Sequence, residues 1–119
     1  MCGDIDEQEQ IDDELFERFI ELTQRFGVSP GANEGRLQLN SEEARGNYME
    51  NLFKAGLTRC LNDAAGLPNG ERMDAIAGQA IVFARLAGFL AAQFPPEADL
   101  FRTVTTAVVD GHREPSTIH

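Results

Sequence analysis

The chain has 119 residues, 42% of them hydrophobic and 25% charged, and a formal net charge of −10. That length suits one domain able to bury a core without a disulfide or structural metal. The charge disfavours a nucleic-acid partner, because phosphate backbones are normally met by a basic footprint.

The acidity is uneven. Residues 1–50 carry thirteen acids against four arginines, and residues 51–119 carry seven acids against six bases, so the balances are −9 and −1. The two cysteines, Cys2 and Cys60, form neither a CxxC nor a Cys/His cluster, which disfavours zinc and a disulfide framework. Ala75 to Phe94 is the most apolar stretch, but Gln79, Arg85 and Gln93 interrupt it, so no membrane partner is expected. The first residues lack a basic segment followed by an apolar one, and a cytoplasmic location is the expectation.

Residues 1–9 are polar and acidic, and disorder is expected there. Ile11, Leu15, Phe19, Leu22 and Phe26 then recur at three- and four-residue intervals, predicting a first helix over 10–26. Phe16 and Thr23 flank this stripe, and Asp13, Glu14, Glu17, Glu21 and Arg25 occupy the other side. Gly27 supplies a stop, with Pro30 beyond it. Residues 27–40 read as a loop through Ser29, Gly31, Asn33 and Gly35. They lack the spacing and the lysine of a phosphate-binding loop.

Asn40 or Ser41 caps a second helix over 41–65, with Glu42 and Glu43 at its positive end. Tyr48, Met49, Leu52, Phe53, Gly56, Cys60, Leu61 and Ala64 form its apolar set, and Glu50 and Lys54 are spaced for an ion pair. Leu67 to Gly70 reads as a turn. The third helix is predicted over 71–94, before Pro95 and Pro96, and the fourth over 97–111, with Gly111 as its stop and 113–119 as a flexible tail. Leu100, Phe101, Val104, Ala107 and Val108 give the fourth helix its core face. The expected class is an all-α, four-helix, bundle-like single domain over 10–112.

The third helix has an unusual wheel. Ile76, Phe83, Leu86, Leu90 and Phe94 share one arc, and Ala77, Ala80, Ala84, Ala87, Gly88 and Ala91 share the next. The arc that should be wet holds Gly78, Val82, Arg85, Phe89 and Ala92. A helix that is apolar all round is normally covered all round. Either it is central in its own chain, or Gly78, Val82, Arg85 and Phe89 form a seam with a second copy. The expectation is a homodimer joined through this helix, serving as a non-enzymatic interaction or regulatory module without a cofactor.

The alternative is a binder of a small molecule or divalent metal. Gln79, Arg85, Tyr48 and Thr105 are the polar residues to seek in a pocket between helices. Cys60 lies on an apolar stripe, where a cysteine is normally inert, and His112 and His119 fall in the last eight residues. No Glu-x-x-His occurs, which excludes the usual di-metal bundle ligand set. Glu14, Glu17 and Glu21, with Glu71 and Asp74, have the ExxE and ExxD spacing. That spacing resembles the one in all-α nucleotide pyrophosphohydrolases, and the resemblance implies Mg²⁺ held by carboxylates. Glu14, Glu17 and Glu21 nevertheless lie opposite the apolar stripe, where solvation is the simpler role. The same acidic face suits a basic protein partner.

Overall fold

The computed structural model describes residues 3–31 and 37–117, with side chains described over 10–31 and 37–116. Cys2, Asn33, Gly35 and His119 lie outside them. The described residues hold four α-helices and one short 3₁₀ turn and no strand, so the class is all-α. The helices are α1 (Gly3–Gln24), α2 (Glu42–Ala65), α3 (Asn69–Ala91) and α4 (Leu100–Thr117), with the 3₁₀ turn at Pro96–Ala98.

Local chemistry explains the boundaries. Gly27 adopts φ 78 after α1. The Val28 N–H donates to Thr23 O at 3.1 Å and the Gly27 N–H to Gln24 O at 2.9 Å. That is the paired closure a left-handed glycine permits. At the start of α2 the Ala44 N–H donates to Ser41 Oγ at 3.1 Å, so Ser41 is the cap and one orphan donor is satisfied. Glu50 and Lys54 pair at 3.7 Å with both side chains exposed, worth a few tenths of a kcal/mol.

Several boundaries differ from expectation; α3 begins at Asn69, not 71, and α4 at Leu100, not 97. α1 begins at Gly3, not near residue 10. α4 continues through Gly111 to Thr117, so the backbone of 113–117 is helical and not a loose tail. An interior glycine costs only about 1 kcal/mol relative to alanine, and Gly111 has no positive φ. α3 stops at Ala91, before Phe94. There the Gln93 N–H bonds Leu90 O and the Phe94 N–H bonds Ala91 O, both in the tighter i,i+3 pattern. Pro95 disfavours helical backbone at Phe94. Asp99 takes φ 48 between the 3₁₀ turn and α4, a conformation that aspartate tolerates better than most residues, and its carboxylate pairs with Arg102 at 3.2 Å.

The chain divides into two compact units. The first comprises residues 1–32 and 86–119, hence α1, the last turns of α3, and α4. The second, residues 33–85, is the hairpin of α2 and the larger part of α3.

In the first unit, packing centres on aromatic rings. Phe89 meets Phe26 edge-on at 5.7 Å and Phe19 at 6.2 Å, and Phe19 meets Phe16 at 6.4 Å. Each such pair is worth about 0.5–1.5 kcal/mol beyond area burial. In the second unit, α2 turns toward the chain interior a line of Ala44, Tyr48, Gly56, Cys60 and Ala64 at four- and eight-residue spacings. Gln79 of α3 donates from Nε2 to Cys60 O at 3.1 Å, tying the two helices.

Coverage is thin. Among the described residues only Ala64, 7% exposed, and Ala91, 8%, are fully buried. Among the described residues α3 is therefore not covered on all sides, as the alternative of a central place in its own chain would require. Ile81 is 70% exposed and Val82 59%, and Ile76, Phe83, Leu86 and Leu90 all remain exposed. The apolar set expected of α2 fares the same way, with Met49, Leu52, Phe53 and Leu61 exposed. One small-residue line on α2 cannot shelter the remaining apolar sides of both helices.

Candidate functional site

Two apolar surfaces stand out, one in each unit. The first belongs to the α2–α3 hairpin. At 100° per residue, Gly78, Ile81, Val82 and Arg85 fall on one exposed arc of α3. Gln79, half-buried, lies about 100° round the helix from Gly78, and half-buried Ala75 borders Val82 at the edge of this arc. A Cβ built on Gly78 would meet nothing within 4 Å, so the backbone there is open to close approach. Phe89, placed with this arc by the sequence, is half-buried and held by Phe19 and Phe26. The exposed part of the expected seam is thus Gly78, Val82 and Arg85, with Ile81 beside it.

The second surface is a groove in the first unit, about 470 Å³ in volume, lined by Asp12, Leu15, Phe16, Phe19, Leu90, Gln93 and Phe94. α1 supplies one wall. The other comes from the end of α3 and the turn that follows, where the backbone tightens before Pro95. Gln93 Nε2 donates to Phe89 O at 2.8 Å, which holds that side chain against its own turn. Leu15 and Phe19 are half-buried, whereas Phe16, 58% exposed, and Phe94, 54%, form open lips. The sequence placed Leu15, Phe19, Leu90 and Phe94 in a core and did not reveal the groove. The available signal was Phe16, a large aromatic just outside the stripe.

The polar candidates do not line this groove. Gln79 is occupied by the Cys60 carbonyl. Tyr48 is half-buried on α2, and Arg85 is exposed on α3. Thr105 is exposed, and its Oγ1 donates to Phe101 O at 2.8 Å within α4. The carboxylates Glu14, Glu17, Glu21, Glu71 and Asp74 are all exposed. Glu14 accepts a bond from Gln10 Nε2 at 3.3 Å. No cluster of three or more His, Cys, Asp or Glu side chains suited to a metal occurs among the described residues. Cys60 is a free, half-buried thiol.

By length and composition α3 passes as a helix able to cross a membrane, although its sequence carries interruptions. Compared with known protein families, curated proteins and solved structures, the chain matches none.

Proposed function

We propose that this protein is a non-enzymatic helical interaction module that works as a homodimer, with α3 at the centre of the contact. The supporting observation is the exposed arc of Ile81 and Val82 beside the open backbone at Gly78. A two-helix hairpin has one internal interface. Two hairpins packed together make a four-helix core, which covers the outer apolar sides of α2 and α3.

The energetic case follows from α3 within its own unit. Ile81 and Val82 on this arc are 70% and 59% exposed. Covering a residue of this kind from half exposure gains roughly 1 kcal/mol or more, and a two-fold contact counts every gain twice. Charge agrees with this choice of surface, because the acidity that would push two copies apart is concentrated in residues 1–50. Within the arc, Arg85 supplies the one formal charge.

Insertion of α3 into a bilayer is a second reading, favoured by its length and its exposed apolar side chains. It is the weaker one. Arg85 lies at the middle of the apolar stretch Ala75–Phe94, and a charge at mid-bilayer costs about 2.5–3.5 kcal/mol. Insertion also breaks the Gln79–Cys60 bond and strips α3 from its polar partner α2.

Light scattering coupled to gel filtration tests the dimer. The expected mass is twice the 13.1 kDa of one chain. Flotation with lipid vesicles tests the second reading, which predicts co-flotation that high salt does not reverse.

A further inference from the structure

We infer that the groove in the first unit is the docking site for a partner's amphipathic helix whose apolar face is flanked by lysines and arginines. The inference is independent of the dimer, since every lining residue belongs to α1 or to residues 90–94.

Shape comes first. The groove's volume lies within the usual range for preformed binding sites, about 300–1,000 Å³. Its lips are open, however, with Phe16 and Phe94 each more than half exposed. A free small molecule is normally enclosed over most of its surface, which these lips do not provide. An open trough between α1 and the end of α3 with the turn after it suits a further helix, laying residues at i, i+3 or i+4 and i+7 along it.

Charge then selects the partner. α1 carries nine acidic residues between Gly3 and Gln24 against a single base, Arg18. Asp12 lines the groove itself, one turn before Phe16, and Asp13 follows it in the chain. A helix with acidic flanks would meet like charge along this wall, and one with basic flanks would meet opposite charge. The same test disfavours α4 of a second copy as the occupant. Its apolar residues Phe101 and Val108 are exposed, but Arg102 and Arg113 are offset by Asp110 and Glu114.

The probe is a labelled synthetic amphipathic helix of leucine and lysine, titrated with the full chain and followed by fluorescence anisotropy. A peptide of the same pattern with glutamate in place of lysine is the control. The lysine peptide is expected to bind, to weaken as salt rises, and to lose about tenfold or more in affinity with F16A/F94A. That variant keeps every charge, and circular dichroism checks its helix content. Should it unfold, D12K/D13K serves instead, and it is expected to lower affinity for the lysine peptide and raise it for the glutamate peptide. Unchanged affinity in F16A/F94A would overturn the inference, because binding would then rest on charge alone. Equal binding of the glutamate peptide overturns it too, as does displacement of the lysine peptide by a long-chain fatty acid at lower concentration than by unlabelled peptide.

Discussion

Substituting Val82 by glutamate separates folding from association. Val82 is 59% exposed on α3, so V82E leaves little packing behind in the single chain, and glutamate is the better helix former. In the dimer each copy loses the burial of one valine. Full burial of such a side chain is worth about 1.5–3 kcal/mol, so covering the exposed part gives roughly 1–2 kcal/mol per copy. Two-fold symmetry doubles the loss to about 2–4 kcal/mol. Two glutamates brought into one seam add desolvation and mutual repulsion on top. A total of about 4 kcal/mol or more corresponds to roughly a thousandfold weaker association. Sedimentation equilibrium measures the constant directly, and circular dichroism confirms that helix content is unchanged. A dimer that persists in V82E with less than a tenfold change refutes the placement of the seam on this arc.

Other expected outcomes concern stability and ligands. F89A is expected to lower the melting temperature by removing the ring contacts to Phe19 and Phe26, at a cost of about 2–3 kcal/mol, with little change in association at temperatures where the variant is folded. Thermal melts are expected to show G27A destabilised by about 1 kcal/mol, because alanine at φ 78 is strained. G46A, in the interior of α2 with nothing within 4 Å of its new methyl, is expected to gain about 0.5–1 kcal/mol. S41A loses the cap on the Ala44 N–H and is expected to cost about 1 kcal/mol. Millimolar Mg²⁺ is expected to leave the melting temperature unchanged; a rise of several degrees would restore the carboxylate-site alternative.

Local chemistry was the legible part of this fold. Gly27 and Ser41 announce their helix ends because a left-handed glycine and a capping hydroxyl act within a few residues, and the Glu50–Lys54 pair follows from one turn of helix. The start of α1 and the end of α4 were less legible. Acids at a helix start look like a solvated tail, and Gly111 looks like a stop although its cost is small. Periodicity on α2 and α3 marks apolar sides but does not say what covers them, and Met49, Leu52, Phe53, Ile76 and Phe83 are exposed. Val82 and Phe89 share an arc on the wheel, yet Phe89 is held by α1 and Val82 faces outward. That difference depends on which distant residues approach: Phe19 and Phe26 meet the Phe89 ring, whereas Val82 stays 59% exposed. The groove was hidden for the same reason, since Asp12 and Phe94 are 82 positions apart in the chain.

The proposed dimer has a second copy of the same chain covering the exposed apolar arc of α3. The mass of the full chain in solution, measured by light scattering at tens of micromolar, tests it most directly. A particle of twice the 13.1 kDa chain mass, dissociating on dilution, is the predicted result. A stable monomer across that range would contradict it.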